Sequence, residues 1–555
     1  MPNKTLSPFK RLIGLLQIDK RDVLQTFYYA VFAGIVNLSL PLGIQAIINL
    51  IQGAQISTSW IILVILVTMG VAFGGVLQLM QIRIIENLQQ KIFTRASFEL
   101  SYRFPKIKMS ELDDYYPPEL ANRFFDTINI QKSLSKLLLD FPAALLQIIF
   151  GLILLSFYHP FFIIYGLMLL VLIYIVYKFT AAKGLETSLT ESKYKYKVAH
   201  WIQEVARTLI SFKLSGNTSH ALSKNDVLVN DYLKARESHF KILVIQFIQM
   251  IGFKVLVTAG LLLIGGLLVL NQEMNIGQFV AAEIIILLVI NSVEKLIRHI
   301  ETIYDLLTGL EKLGQVVDKD IESQEGQTPL TKESDLVVEL DKISFAPQSD
   351  APKIIDNLSL IIPPKTTTLI LGCNGSGKTT LLRLITGLYK PTDGNIFINN
   401  IALDNILPNH FRSFIGQSLT EESPFEGSIL NNITFGDASI TQEELYWAID
   451  KVKLSEFVKK QPKGIHTYIF PEGQKIPHNV AKKIILARAI VRKPKLLVLK
   501  EPLDQLDEID ALRIMEFLTD KSNPWSIVVV SHDPKWLTRC DRIITLAEGK
   551  IVSDK

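Results

Sequence analysis

The sequence predicts a chain in two parts, an all-α transmembrane domain of six helices followed by an α/β P-loop nucleotide-binding domain. Three observations predict it. Six long apolar runs crowd into the part before about Ile300. Most reach or approach the ~20 residues that a helix needs to cross a bilayer. Gly372 to Thr379 reads Gly-Cys-Asn-Gly-Ser-Gly-Lys-Thr, which fits the phosphate-loop pattern G-x-x-x-x-G-K-[ST]. From Leu336 onward, apolar strands alternate with helical patterns, as in an α/β domain. The expected domains are residues 1–313, a polar linker at 314–334, and residues 335–555.

Composition narrows the class. The mean hydropathy of +0.28 is high for a soluble protein. The formal net charge of +4 is too small to point to nucleic acid. Two cysteines, Cys373 and Cys540, argue for a reducing compartment and against a disulfide framework.

Met1–Asp22 lacks a contiguous apolar core, so no cleaved leader is expected. Instead Phe9, Leu12, Ile13 and Leu16 share one helical face among basic residues. That predicts a short helix lying on the inner membrane surface. The six spans are Val23–Leu50, Trp60–Met80, Phe141–Phe157, Phe161–Tyr177, Leu243–Leu270 and Phe279–Ile297. The third and fourth are short, and only Tyr158-His159-Pro160 separates them. The loops Gln52–Ser59, Tyr158–Pro160 and Asn271–Gly277 hold no Lys or Arg, whereas Arg83–Lys136 and Lys178–Lys241 are rich in both. Basic loops stay cytoplasmic. Both termini and the nucleotide-binding domain are therefore expected in the cytoplasm, on a chain that crosses a cell (inner) membrane several times. The basic loops are too long for turns. They read as membrane helices extended into the cytoplasm and joined near Tyr115–Asn122 and Trp201–Phe212, where the tips can touch a cytoplasmic domain. Lys254 and Glu283 fall inside spans. Charge there is costly, which leaves two readings, a substrate path or a structural ion pair.

In the second domain, Thr366–Leu371 reads as a buried strand and Leu381–Ile385 as a helix. Between them, glycines let successive N–H groups turn inward around phosphate oxygens, and the helix N-terminus adds partial positive charge. The ATP-binding candidates are Gly372, Cys373, Asn374, Gly375, Ser376, Gly377, Lys378, Thr379 and Thr380. In this motif Lys378 reaches the β and γ phosphates and the Thr379 hydroxyl ligates Mg²⁺. Further along come Gln417 in Phe414–Gln417, the strand Leu496–Leu499 before Lys500-Glu501, and Asp504–Asp507. The strand Ile527–Val530 follows, before Ser531-His532-Asp533.

This order resembles the ATP-binding cassette of ABC transporters. The six-span half in front resembles their exporter type, as in lipid, multidrug and haemolysin-type secretion half-transporters. The resemblance covers nearly the whole chain. Phe425–Ile429 and Asn431–Ile433 are similar to the segment after the family's glutamine loop, and Ala487-Arg488-Ala489 to the end of its signature helix. The resemblance implies that Gln417 joins Thr379 at Mg²⁺. It makes Glu501 the general base that polarises the attacking water, and His532 the catalytic switch residue at the γ phosphate. Asp507 falls on the loop that crosses a cassette dimer.

Four departures stand against these matches. The family's Asp-Glu is here Lys500-Glu501. A +1 charge ~5 Å from a dication, at an effective dielectric of ~20, is repelled by roughly 6 kcal/mol before the side chain relaxes. The family's Leu-Ser-Gly-Gly-Gln signature is here Ile476-Pro477-His478-Asn479-Val480. Pro477 offers neither hydroxyl nor N–H, and one lost donor to developing charge slows such reactions by ~100–1,000-fold. Pro347 stands where an adenine-stacking aromatic is expected, and Phe470-Pro471-Glu472-Gly473 replaces the usual segment before the signature.

The expected function is an exporter-type subunit that binds ATP, with Mg²⁺ weakened, and hydrolyses it slowly. The alternatives are a fully active exporter of lipid, peptide or protein, and an ATP-gated scaffold or regulator. The expected partners are the membrane, a second half-transporter as homodimer or heterodimer, and a periplasmic adaptor protein, with no nucleic acid.

Overall fold

A computed structural model describes residues 7–52, 58–113, 115–348 and 351–555, with side chains between 165 and 181 described in part. Its contacts divide into two units, Met1–Pro105 with Tyr115–Lys319, and Lys106–Asp114 with Asp320–Lys555.

The first unit is helical. Its elements are α1 (Pro8–Ile18), α2 (Lys20–Asn37), α3 (Ser39–Gln52), α4 (Thr58–Arg103), α5 (Pro117–Ala121) and α6 (Asp126–Tyr158). Then follow α7 (Phe161–Arg207), α8 (Leu209–Leu214), α9 (His220–Leu270) and α10 (Ile276–Val317). α9 has 51 residues. At ~1.5 Å per residue it is about 77 Å long, more than twice the ~30 Å of a bilayer core. The long basic loops are thus the continuations of membrane helices, as the sequence implied. Among the described residues, five helical stretches are long and apolar enough to cross a membrane: Lys20–Gln52, Thr58–Lys106, Pro117–Tyr158, His220–Leu270 and Ile276–Val317. The remaining expected span, Phe161–Tyr177, lies on α7, where several side chains fall outside the described residues. Ser57, in an expected external loop, also falls outside them.

Ile148, Leu155, Val257, Ile286 and Val289 join α6, α9 and α10 in one core. Gly184 lets α7 approach α10, because a Cβ there would sit 2.3 Å from the Tyr304 ring. The apolar face expected of α1 is divided. Leu12, Leu15 and Leu16 pack on Leu88, Leu134 and Leu310, whereas Phe9 and Ile13 stay exposed. Arg11 makes a bidentate pair with Asp318 at 2.7 and 2.5 Å. Lys254 lies 3.5 Å from Glu294, which also pairs with Arg298, so the structure shows Lys254 in an ion-pair network.

The second unit opens with β1 (Val338–Phe345), β2 (Ile355–Ile362), β3 (Thr367–Gly372), α11 (Lys378–Ile385), β4 (Asp393–Ile398) and β5 (Ile401–Ala402). It continues with α12 (Pro408–Arg412), β6 (Ile415–Ser418), β7 (Gly427–Ser428), α13 (Ile429–Thr434), α14 (Gln442–Lys451) and α15 (Ser455–Lys460). It ends with β8 (Tyr468–Ile469), α16 (His478–Ile490), β9 (Leu496–Lys500), α17 (Glu508–Leu518), β10 (Ser526–Val530), β11 (Arg542–Ala547) and β12 (Lys550–Asp554). The main sheet has the order β12-β11-β3-β10-β9-β6, and β11, β3, β10, β9 and β6 run parallel. Every residue of β10 is buried, as a central parallel strand requires. A smaller antiparallel sheet runs β2-β1-β4-β5. Val530 pairs with Ile370 on one side and Lys500 on the other. The carboxyl ends of β3, β10 and β9 therefore lie side by side, which is where open parallel sheets place ligands.

Tyr115–Asn122 groups with the helices, and the segment just before it, Lys106–Asp114, groups with the α/β unit. Ile107 forms a bridge with Ile321, and Asp113 accepts a 3.2 Å hydrogen bond from the Tyr389 hydroxyl. Polar partners at Lys108 and Asp113, invisible to periodicity, set this register.

Candidate functional site

The loop between β3 and α11 is shaped by its glycines. Gly372, Gly375 and Gly377 have φ of 146°, 82° and 96°. A Cβ on Gly372 would sit 2.3 Å from the Leu546 carbonyl oxygen, and one on Gly377 would sit 2.9 Å from that of Ile354. No larger residue fits either position. Gly377 caps α11 without a side-chain bond, so the first N–H groups of that helix remain open to an anion. Cys373 and Asn374 are exposed on the crown of the loop, Ser376 and Lys378 are buried, and Thr379 and Thr380 are half-buried in the first turn of α11. The Lys378 ammonium folds back onto the Gly372 and Cys373 carbonyls at 2.6 and 2.7 Å. Burial holds its pKa below the ordinary lysine value, and Lys500 adds like-charge repulsion.

Glu501 follows β9 with φ of 43°, and its N–H donates to Val530 at 2.8 Å. Its carboxylate accepts from the Ser531 hydroxyl at 2.8 Å and the His532 N–H at 2.9 Å. The exposed His532 ring lies 3.9 Å away. Glu501 and His532 are thus brought together, and both Lys500 and Glu501 are near enough to act on Lys378. Gln417 is half-buried on β6, paired with Val498 of β9. Asp507 caps α17 without a side-chain bond.

The expected metal has a poor set of donors. Thr379 and Gln417 supply neutral oxygens, and Lys500 ends the strand where a carboxylate would complete the set. Among the described residues there is no group of three or more His, Cys, Asp and Glu suited to a metal. Mg²⁺ at phosphate sites keeps several waters, so Thr379 and Gln417 are the side chains here that would meet it, and Lys500 stands where a carboxylate would orient those waters.

The signature segment is less depleted than the sequence suggested. α16 starts at His478, with Pro477 as its cap. Pro477 therefore occupies a position outside the helix, and the first N–H groups, from His478 onward, keep no partner within it. What is lost is the serine hydroxyl and the bare glycine surface. Val480 has joined the buried core.

Lys482 was missed by sequence reasoning. It sits on α16, burial pushes its pKa down, and Asp504, Glu422, Glu501 and Lys500 all act on it. The Lys482-Lys483 pair before Ile484 was the available signal. Near the expected adenine position, Phe345 stacks on Tyr389 with centroids 5.0 Å apart, and both line a cavity of about 760 Å³ together with Pro347.

Comparison with known proteins adds an independent line. The ABC transporter family matches residues 355–504, and the ABC transporter transmembrane region matches residues 24–293. A Rickettsia bellii protein named for export ATP-binding/permease function is 24% identical over 477 residues, spanning 85% of this chain and 82% of that protein. The alpha-hemolysin translocation ATP-binding protein HlyB of Escherichia coli is 26% identical over 343 residues, 60% of this chain and 48% of HlyB. The chain thus matches about half the length of that relative. The structure of a bacterial Atm1-family ABC exporter with ATP bound superimposes with a TM-score of 0.83 at 17% identity, covering 96% of this chain and 95% of the other. With an apolar helical unit, a phosphate loop at the carboxyl ends of a parallel sheet, and both family matches in register with them, this chain belongs to the ABC transporter family as an exporter-type subunit.

Proposed function

We propose that the chain is half of an exporter whose two cassettes close on ATP but turn it over slowly. The observation that carries this reading is Lys500, an ammonium at the end of β9 that acts on Lys378 in place of a metal-orienting carboxylate. The phosphate loop binds the nucleotide through Gly372–Thr380, chiefly by backbone N–H groups and Lys378. Lys500 supplies fixed positive charge at the phosphates and leaves Mg²⁺ a minor contributor beside Thr379 and Gln417.

In hydrolysis, Glu501 takes the proton of the attacking water and His532 meets the γ phosphate. The Glu501 carboxylate is held by Ser531 on one oxygen and the His532 N–H on the other, and each oxygen keeps a lone pair for the attacking water. The opposing signature surface is supplied by a second half-transporter, the same chain or another. In a homodimer it presents helix N–H groups but lacks the serine hydroxyl. The membrane domain extends over residues 1–313 with six spans and both termini in the cytoplasm, a linker covers 314–334, and the cassette covers 335–555. The Lys/Arg-free loops support that orientation. Lipid, peptide and protein remain equal as cargo, and a periplasmic adaptor suits the haemolysin-type likeness.

Phosphate release from the reconstituted protein tests the reading. Slow turnover that membrane cargo does not raise is the expected result. A rate in the usual enzyme range of about 1–10³ per second would replace it with the fully active exporter.

A further inference from the structure

Outside the cassette, the most unusual chemistry lies in the helical unit, where α5, α7, α9 and α10 enclose a cavity of about 630 Å³. Two cations in its wall are almost wholly buried. Arg123 and Lys312 are each 7% exposed. The Arg123 guanidinium lies 3.7 Å over the Tyr196 ring, and its Nε and Nη1 have no hydrogen-bond partner. The Lys312 ammonium is 5.3 Å from the same ring and forms no ion pair among the described residues. Lys193, Lys197 and Lys224 stand at the rim, also without a carboxylate within ion-pair distance among the described residues.

The carboxylates of this cavity are already engaged. Glu119 pairs with Arg123 and lies 3.3 Å from His200, Glu204 pairs with Arg207, and Glu311 faces Arg11 at 3.7 Å. Asp126, behind Tyr196, accepts from the Tyr196 hydroxyl. The unpartnered Arg123 nitrogens are closed to solvent, and Arg123 already pairs with Glu119, so Lys312 is the buried cation that an anion in the cavity can satisfy, and such a group is costly without one. The cavity volume falls within the range of small-molecule sites.

Position decides which anion. Tyr196 lies about 28 Å along α7 beyond the apolar run ending at Tyr177, and Lys312 about 22 Å along α10 beyond the run ending at Ile297, at ~1.5 Å per residue. The headgroup layer adds only about 5–8 Å to each side of the bilayer core. Its surface potential fades over a Debye length of about 8 Å. A lipid headgroup is therefore out of reach. One face of Tyr196 lies under Arg123 and one face of Trp201 under Lys224, at 3.7 and 4.1 Å.

We infer that this cavity binds a small, soluble, multivalent phosphate anion, held by Lys312 within and by Lys193, Lys197 and Lys224 at the rim. The site is independent of the hydrolysis reading above. Displacement of Lys224 from Trp201 gives it a local optical signal. The experiment titrates the full-length Lys378→Ala chain in neutral-lipid nanodiscs with tripolyphosphate, following tryptophan fluorescence. A saturable change that disappears in Trp201→Phe is expected. Lys312→Gln should weaken it at least about tenfold, as loss of a charge-assisted contact does. Because Lys312 is buried, the exposed pair Lys193→Gln/Lys197→Gln gives a second measure and should also weaken binding. ATP should compete no better than tripolyphosphate, which separates a phosphate site from a nucleotide site. The inference falls if no saturable change occurs, if sodium chloride of equal ionic strength reproduces it, or if both variants bind as the parent does. It also falls if anionic lipid in the nanodisc replaces the added phosphate.

Discussion

The two sides of the cassette have diverged to different degrees. On the phosphate-loop side, Gly372, Gly375 and Gly377 hold positive φ, a Cβ on Gly372 or Gly377 would clash, and α11 begins where an anion needs it. On the signature side, α16 also begins at the right place, but its first turn carries Pro477, His478 and Asn479 in place of a hydroxyl and bare backbone. Backbone geometry has survived on both sides. Side-chain chemistry departs from the family pattern on both, at Lys500 beside the phosphate loop and at residues 476–480 on the signature side. A phosphate cradle made of N–H groups tolerates change around it, whereas a clamp that depends on one hydroxyl, and a metal that depends on one carboxylate, do not.

The largest test of this contrast removes what the cradle does retain. Lys378→Ala should weaken ATP binding at least about 100-fold, the scale of losing two charge-assisted contacts. Calorimetry measures it, and near-normal affinity would mean that the cradle is not the nucleotide site. Repair of the altered residues comes next. Lys500→Asp alone, or Ser-Gly-Gly-Gln in place of residues 477–480 alone, should change phosphate release by less than about tenfold. Together they should raise it by about 100-fold or more, because parts of one site act non-additively. Glu501→Gln should then abolish the gain. Equal, multiplicative gains would show two independent defects.

Labelling gives a smaller effect. Cys373 is exposed on the loop crown, whereas burial pushes the Cys540 thiol up to about 12. A neutral-pH alkylating reagent should modify Cys373 and spare Cys540, since the thiolate is the nucleophile, and saturating ATP should slow it about tenfold. Unequal labelling without ATP protection would leave the thiol assignment intact and remove the phosphate from beside Cys373. The smallest expected effect is that of the metal. Chelation of Mg²⁺ should change ATP affinity by less than about threefold, since Lys500 already supplies charge. A steep loss would show Lys500 turned away from the metal position.

What the sequence made legible follows the same division. The P-loop, the strands ending at Lys500 and Val530, and the long membrane helices were readable because glycine spacing and apolar periodicity are local signals. The placement of Pro477 just outside α16 was not, because a helix start cannot be fixed to one residue from a motif with no matching side chain. Lys482 escaped because its neighbours Asp504 and Glu501 are near only in space. The docking of Lys106–Asp114 escaped because polar contacts carry no period. The engagement of the Glu501 carboxylate with Ser531 and the His532 N–H could not be read from Lys500-Glu501 alone, because Ser531 and His532 follow a different strand.

The pairing of Arg11 with Asp318 joins residues 307 apart in the chain. During synthesis at ~5–20 residues per second, about 15–60 s separate the emergence of the two side chains. For that interval α1 is made but its Asp318 partner is not. Until then α1 has only its apolar packing on earlier helices, and a ribosome stalled before Asp318 leaves Arg11 without that carboxylate.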